Sequence, residues 1–224
     1  MRVVKQKGYT MTVTSNEHTL SVQYLAPEDI STAGSLIYQA YHDDPLLQNL
    51  LGYDQHNMAA YEKKLRSVIR EELSAFWQEK LPLIGLYRDD KLKAVACVFE
   101  SSSQLQPERY WHWRLKLMLS AGYLQTNQLI EKEQTIRTAL NEIGDYYYLA
   151  FIAVDPHVQG HGLGRYLLRG LDDLATQNTG AKGLAVFVTR QEHNTFFKSE
   201  GFSTFKALAF NKVSGELLFK PYAK

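Results

Sequence analysis

The part of this chain that most constrains its fold is a buried strand, a glycine-rich turn and a helix in direct succession. Residues 146–154 form a nearly continuous apolar run, which is typical of a strand covered on both faces of a sheet. The turn that follows contains Gly160, Gly162 and Gly164. In residues 163–176, leucines recur at three- and four-residue spacing, so this segment is predicted to be a helix that packs on the sheet.

The remaining patterns predict an α/β (α+β) fold, with a mixed sheet and helices on both of its faces. No internal repeat and no Pro/Gly/Ser-rich linker divides the chain. The segment 107–124 alternates as a strand does, but its length and its start at Pro107 favour a helix. The predicted strands are residues 19–25, 83–87, 92–99, 146–154, 184–188, 202–210 and 216–219. The predicted helices are residues 27–42, 57–80, 107–124, 128–143, 163–176 and 191–199.

Charge and composition exclude several classes of protein. The 25 Lys and Arg residues balance 24 Asp and Glu residues, so no sequence-wide charge draws the chain to nucleic acid or to an anionic membrane. Cys97 is the single cysteine, which excludes an intramolecular disulfide and a cysteine-rich zinc site. No apolar run reaches the roughly 18 residues of a membrane span. The sequence therefore predicts a cytoplasmic protein with no metal and no membrane or nucleic-acid partner.

The glycine-rich turn has the features of an anion site. Glycines let the backbone approach a ligand closely, and successive N–H groups at a helix N-terminus attract negative charge. A Walker loop needs Gly-Lys-Ser/Thr, which the turn lacks, and the three glycines fit the Gly-x-Gly-x-x-Gly dinucleotide pattern in neither register. The pattern favours a phosphate group of another kind of ligand, with a plain tight turn as the alternative.

Two motifs make the chain similar to the GNAT superfamily of acetyl-CoA-dependent N-acetyltransferases. The first is Gln159-x-x-Gly162-x-Gly164, which matches the superfamily's Gln/Arg-x-x-Gly-x-Gly/Ala signature. The second begins at Asn194 and ends at Phe202, and it resembles the superfamily's Asn followed by Tyr-x-x-x-Gly-Phe. The resemblance covers residues 19–224, preceded by a tail at 1–18 and interrupted by an insertion at about 101–145.

This resemblance implies a mostly antiparallel central sheet of about seven strands, with a helical insertion before the central strand. It also implies acetyl-CoA as co-substrate, with the CoA diphosphate on the amides of the turn and the pantetheine arm paired with the preceding strand like an added strand. A backbone N–H near Val154 would polarise the thioester carbonyl. The residues that it places at the cofactor are Ala153, Val154, Gln159, Gly160, His161, Gly162, Leu163, Gly164 and Asn194.

The implied reaction requires a base, because an ammonium with a pKa of about 10 must lose a proton before its nitrogen can attack. The superfamily's glutamate on the central strand corresponds to Tyr148 here, which is a poor base but can hold a water. The other carboxylates at strand and helix ends are candidates for the base or for the acceptor site. They are Glu100, Asp43 and Asp44.

The leaving thiolate also needs a proton, and the residue that usually supplies it is missing. The tyrosine of the superfamily's second motif is replaced by Phe197, which has no hydroxyl. Ser199 and Tyr148 are the candidate replacement donors. A thiol with a pKa of about 8.5 is a fair leaving group without help, so the substitution slows the transfer without forbidding it.

The sequence therefore predicts an enzyme that moves an acetyl group from acetyl-CoA to a primary amine of a small molecule, by direct attack in a ternary complex. The alternative, which Phe197 favours, is a non-catalytic acyl-CoA-binding sensor or interaction module of the same fold. Arginines and aromatic residues at 109–114 are interpreted as packing on the acceptor side of the sheet rather than as a nucleic-acid surface. The insertion would wall the acceptor pocket or join two copies into a homodimer.

Overall fold

A single sheet of eight strands forms the centre of the structure. The computed structural model describes residues 10–14, 19–101, 107–176 and 180–222. Within these ranges the strands are β1 (Thr10–Thr14), β2 (Thr19–Tyr24), β3 (Leu83–Arg88), β4 (Lys91–Glu100), β5 (Tyr147–Val154), β6 (Gly183–Val188), β7 (Ser203–Phe210) and β8 (Val213–Pro221). Their order across the sheet is β1-β2-β3-β4-β5-β6-β8-β7. Each neighbouring pair is antiparallel except β5 and β6, which are parallel.

Helices cover both faces of this sheet. In the described ranges they are α1 (Ile30–Tyr41), α2 (Pro45–Leu51), α3 (Met58–Glu79), α4 (Pro107–Ser120), α5 (Tyr123–Leu140), α6 (Leu163–Thr176) and α7 (Gln191–Ser199). None of these helices combines the length and the apolar character needed to cross a bilayer.

The two layers of the core are separated by the alternation of side chains along β4. Val95 and Cys97 belong to the core layer that contains the apolar residues of α1, α3 and α5. Ala94 and Ala96 belong to the layer that contains the leucines of α6. Successive side chains of a strand point to opposite faces, so one strand contributes to both layers, and the predicted mixed sheet with helices on both faces is confirmed.

The insertion before β5 consists of two helices on the α3 side of the sheet. Helix α4 packs against α3 and α5, and α5 also contacts α2. Gly122, with a φ of 103°, separates the two helices. The single helix predicted at 107–124 is therefore wrong at its C-terminal end, because this glycine ends one helix and the next begins at Tyr123.

Two further elements differ from the sequence-based expectation. Residues 10–14, inside the segment predicted to be a tail, form β1 and pair with β2, which makes eight strands rather than about seven. The first helix ends before Asp43-Asp44-Pro45, in agreement with the predicted helix at 27–42. A second helix, α2, which was not predicted, begins at Pro45. Asp44 caps it by accepting a hydrogen bond from the Leu47 N–H at 2.9 Å, and proline is well suited to the first helical position.

Candidate active site

The turn between β5 and α6 presents backbone to open space. Gly160 and Gly162 have φ angles of 80° and 77°, which side chains other than glycine rarely adopt. A Cβ placed on either glycine would meet no atom within 4 Å. These glycines are therefore required by the backbone conformation and not by contacts, and the space above them is accessible to a ligand.

The N–H groups of this turn are free to bind that ligand. Those of residues 160–164 donate to no acceptor among the described residues. They lie at the N-terminus of α6, where the helix dipole adds partial positive charge. Successive free N–H groups at such a position form an anion-binding site.

An ion pair ties the start of the turn to the sheet. The Asp155 carboxylate lies 2.7 Å from the Lys93 ammonium on β4. The same carboxylate accepts a hydrogen bond from the His157 N–H at 3.0 Å. The bond from Lys93 holds the pKa of Asp155 below its usual range, so the tether is intact at neutral pH.

The sheet opens into a gap beside this turn. Strands β5 and β6 are paired over only three residues each, from Tyr147 to Leu149 on β5. A bulge follows, because Cys97 and Val98 of β4 pair with Phe151 and Leu149, which leaves Ala150 as an extra residue. A bulge bends the strand that carries it, and the rest of β5 diverges from β6.

Alternation along β5 decides which backbone groups face this gap. The Asp155 N–H donates to the Lys93 carbonyl at 2.8 Å, so this residue is turned toward β4. Hydrogen-bonded and non-hydrogen-bonded pairs alternate in an antiparallel ladder. The backbone groups of Ala153 therefore also face β4, whereas those of Ile152 and Val154 face the gap.

Two side chains of the protein form hydrogen bonds with backbone groups that face the gap. The Ile152 N–H donates to the hydroxyl of Tyr41 at 3.1 Å. The side-chain amide of Gln159 donates to the Val154 carbonyl at 3.1 Å. Burial raises the pKa of the Tyr41 hydroxyl, so this group is neutral and can exchange its bond for one made by a ligand.

One cavity of about 590 Å³ joins the turn, the gap and a space beneath the insertion. The turn lines one end of it, and β5 lines one side from Tyr148 to Val154. Side chains of α3, α4 and α5 line the other end. A ligand bound on the turn and a second ligand beneath the insertion would thus meet within one enclosed space.

Most of the predicted cofactor residues line this cavity. They are Ala153, Val154, Gln159, Gly160, Gly162, Leu163 and Gly164. His161 and Asn194 lie outside its lining. The His161 ring lies 3.0 Å from the carbonyl of Gln159, and Asn194 is buried with its Oδ1 atom unpartnered among the described residues.

The structure places one of the three predicted catalytic residues at the cavity and the other two outside its lining. Tyr148 lines the cavity, whereas Glu100 and Ser199 do not. The Ser199 hydroxyl donates to the Phe196 carbonyl of its own helix at 2.7 Å. Burial raises the pKa of Tyr148, so its hydroxyl stays protonated and is not a base.

The two predicted acceptor residues have structural partners. Asp44 lines the cavity, but one carboxylate oxygen caps α2 and the other lies 3.3 Å from the Thr189 hydroxyl. Asp43 lies outside the cavity lining and its side chain is exposed, beside His42 at 2.8 Å. The backbone carbonyl of Asp43 accepts a hydrogen bond from Arg190.

Phe197, at the position of the superfamily's tyrosine, is part of the core. It is buried, and its ring packs edge-to-face against Phe196 and Phe202. It also lines the cavity, so the position is in contact with the site even though it carries no hydroxyl.

The elements around the glycine-rich turn also carry a family match. Residues 126–204 match the family model of the acetyltransferase (GNAT) domain. That segment includes β5, the glycine-rich turn, α6, β6 and α7. Over this segment the chain is similar to a GNAT acetyltransferase domain.

Solved structures of N-acetyltransferases share the fold of this chain over about nine-tenths of its length. A mosquito arylalkylamine N-acetyltransferase-like protein, 5b, is 14% identical with a TM-score of 0.57, and the match covers 90% of this chain and 99% of that one. The PaiA N-acetyltransferase of Thermoplasma acidophilum, solved in complex with coenzyme A, is 12% identical with a TM-score of 0.55, covering 91% and 99%. At such identities the likeness establishes the fold alone.

One curated protein that is similar in sequence is much longer than this chain. It is a Dictyostelium discoideum protein named as a probable serine/threonine-protein kinase, 25% identical over 202 residues. The match covers 84% of this chain but 21% of that protein. The chain thus spans about a fifth of the length of the curated relative it matches.

The sequence analysis missed a group of charged residues at the end of the cavity beneath the insertion. Glu72 on α3 and Lys132 and Glu133 on α5 line the cavity. A signal for Glu72 was present, because it lies four residues after Val68 and four before Phe76, on the apolar stripe of its helix. A charged residue on such a stripe faces the interior. No cluster of metal-ligating side chains occurs within the described ranges.

Proposed function

We propose that this chain is an N-acetyltransferase that moves an acetyl group from acetyl-CoA to the primary amine of a small molecule. The observation that carries this proposal is that the free N–H groups of residues 160–164 and the gap beside β5 open into one cavity. The GNAT match and a CoA-bound structural neighbour support the donor. An arylalkylamine N-acetyltransferase-like neighbour supports a small amine as acceptor.

The chain offers each part of acetyl-CoA a matching surface. The diphosphate would be held by the N–H groups of the turn, with Arg165 and Arg190 on the cavity wall as additional positive charge. The amide groups of the pantetheine arm would pair with the gap-facing backbone of Ile152 and Val154, as an added strand does. These two residues replace Ala153 in our assignment, because the backbone of Ala153 is turned to β4.

The chemistry at the thioester depends on groups that stabilise charge and move protons. Acetyl-CoA supplies an activated acyl carbon. A gap-facing N–H of β5 would stabilise the negative charge that develops on the carbonyl oxygen. Tyr148, whose hydroxyl carries a proton and which lines the cavity, is our candidate donor to the leaving thiolate.

A second candidate function is an acyl-CoA-binding module without turnover, which the hydroxyl-free ring of Phe197 favours. The two functions share the cofactor site and differ in whether thiol is released. Binding of acetyl-CoA without thiol release from any amine would favour the binding module.

The proposed function is tested by binding and turnover together. Acetyl-CoA at 100-fold excess over its Kd is expected to stabilise the protein by about 2.7 kcal/mol, measured as a rise in Tm. Free thiol release is then followed with a panel of primary amines, with the protein omitted as the control. The absence of any Tm shift at millimolar acetyl-CoA would refute the cofactor site and with it the enzyme.

Tyr41→Phe tests the route of the pantetheine arm. The variant removes the acceptor of the Ile152 N–H, so we expect a loss of about 1 kcal/mol in the free energy of unfolding without ligand. With saturating acetyl-CoA the deficit should shrink, because a ligand carbonyl takes over that N–H. Unfolding in urea with and without acetyl-CoA measures both values.

Tyr61→Phe is the matched control for this prediction. The Tyr61 hydroxyl donates to the His42 carbonyl at 2.9 Å, away from the gap, so its deficit should be the same with and without acetyl-CoA. If the two variants respond alike to acetyl-CoA, the pantetheine arm does not use Ile152.

A further inference from the structure

The end of the cavity beneath the insertion is a chamber with largely apolar walls, into which Glu72, Lys132 and Glu133 bring charge. Its walls are the side chains of Val68 on α3, Phe99 on β4, Trp113 on α4, and Leu129 and Ile136 on α5. Such a surface favours a ligand with an apolar body, because each buried apolar group gains free energy from leaving water.

Within the described part of the chain, Glu72 is an acidic side chain of this chamber for which no hydrogen-bond or ion-pair partner is found. Its carboxyl makes no hydrogen bond or ion pair with the described residues. The second acid, Glu133, is held by Arg137, with N–O distances of 2.9 and 2.8 Å. The neighbouring Glu71 points elsewhere, with Arg70 at 3.1 Å and Lys116 at 3.8 Å. An unpaired carboxyl in an apolar space is costly, which indicates that a ligand completes the site.

The surroundings of Glu72 favour its binding a proton. Burial and the negative charge of Glu133 raise its pKa from 4.5 to about 8, and the Lys132 ammonium opposes them only in part. Burial, and to a smaller extent the charge of Glu72, raises the pKa of Cys97 on β4. Groups with a pKa near the working pH make effective general bases.

Glu72 lines the same cavity as the residues of β5 at which the gap begins. Cys97 of β4 pairs with Phe151 of β5, and Phe99, which lines the chamber, pairs with Tyr148. The extra residue Ala150 lies between these two pairs, and the gap begins at that bulge. Glu72 lines the same cavity as Tyr148 and Ala150, so it borders the space in which an acyl group in the gap would meet a second substrate.

We propose that Glu72 binds the ammonium group of the acceptor and removes its proton, and that the acceptor is a primary amine with an apolar body seated in the chamber. This inference rests on the proposed acetyl transfer. The Glu72 carboxylate accepts one proton from R–NH₃⁺, which leaves R–NH₂ and the carboxylic acid. The nitrogen lone pair forms the N–C bond while the C–S bond breaks. The CoA thiolate takes the proton of Tyr148, the second nitrogen proton replaces it on Tyr148, and Glu72 returns its proton to water.

Glu72→Gln is the test of this role, with phenethylamine as the probe. The variant is expected to keep its Tm shift with acetyl-CoA and to lose about 10²–10⁴-fold in kcat/KM for phenethylamine. The wild-type kcat/KM should rise with pH through the pKa of Glu72, about 8, and the variant should lose that inflection. Glu71→Gln, one residue away and outside the cavity, should retain the wild-type rate and pH profile.

Binding provides a readout that does not depend on turnover. In the presence of CoA, the Kd of phenethylamine is expected to rise at least about 10-fold in Glu72→Gln, because a hydrogen bond to a charged group is lost.

Wild-type kcat/KM for phenethylamine should also exceed that for ethanolamine at least about 10-fold, because only the first has an apolar body to bury.

The possible results separate this inference from the proposed function. If the wild type releases thiol but Glu72→Gln keeps its rate and pH profile, the role of Glu72 is refuted and the acetyltransferase stands. If ethanolamine is preferred, the apolar acceptor is refuted. If acetyl-CoA binds but the wild type has no affinity for phenethylamine, the inference on Glu72 fails as well, and the binding-module alternative gains support.

Discussion

Gly162→Glu is expected to abolish acetyl-CoA binding, raising its Kd at least about 100-fold. The new side chain would enter the open space above the turn, where a Cβ meets no atom within 4 Å. Its carboxylate would then lie beside the diphosphate, and like charges in contact cost several kcal/mol. The left-handed backbone at this residue, with a φ of 77°, adds about 1–2 kcal/mol of strain. Isothermal titration with acetyl-CoA measures the loss.

Two further variants separate the causes of this loss. Gly162→Ala imposes the backbone strain without the charge, so it should lower stability and weaken acetyl-CoA binding far less than the glutamate does. Gly52→Glu places the same charge at a left-handed position, with a φ of 71°, at the end of α2. It should leave the Kd for acetyl-CoA near the wild-type value. Wild-type affinity in Gly162→Glu would show that the turn does not hold the diphosphate.

The stability of the wild-type protein is expected to fall between pH 5 and pH 9 because of Glu72. The pKa of this carboxyl is about 8 in the folded chain and 4.5 ordinarily. Between these values the folded state binds more protons than the unfolded state, and stability then decreases as pH rises. A tenfold difference in proton affinity between the two states corresponds to about 1.4 kcal/mol. Water in the cavity weakens the effect, so we expect a loss of about 1–3 kcal/mol.

Glu72→Gln isolates this contribution from all others. The variant should match the wild type at pH 5, where the folded wild type carries a neutral carboxylic acid, and should exceed its free energy of unfolding by about 1–3 kcal/mol at pH 9. Urea unfolding at the two pH values measures the difference. A constant offset between the two proteins across this range would mean that the Glu72 carboxyl titrates normally, and would remove the support it gives to a role as base.

The cofactor end of the site could be predicted from sequence because local backbone requirements determine it. Glycines at 160 and 162 are needed for a turn with left-handed residues, and the helix start at Leu163 follows from the leucine spacing. The gap-facing residues could not be predicted in the same way. The bulge at Ala150 depends on the pairing of two distant strands, and only that pairing shows that Ile152 rather than Ala153 faces the gap.

The acceptor end is the less predictable part of the site, because it is assembled from helices far apart in sequence. Glu72 and Glu133 meet only through the packing of α5 against the rest of the α3 side. Glu100 is a candidate by its position at a strand end, but it lies outside the cavity lining. Asp44 is a candidate for the acceptor site, yet its oxygens serve a helix cap and Thr189. Chain position alone does not distinguish a carboxylate with structural partners from one without.

The short pairing between β5 and β6 has a consequence for the mechanics of the whole sheet. Because three residue pairs join these strands, the antiparallel block β1–β5 and the block β6–β8 are coupled weakly at their shared seam. A ligand arm bonded to the exposed edge of β5 would extend the hydrogen-bonded network across that seam. Binding of acetyl-CoA would therefore make the connection between the two blocks more rigid. The chamber beside β5 and the C-terminal strands would then both be affected by the same binding step.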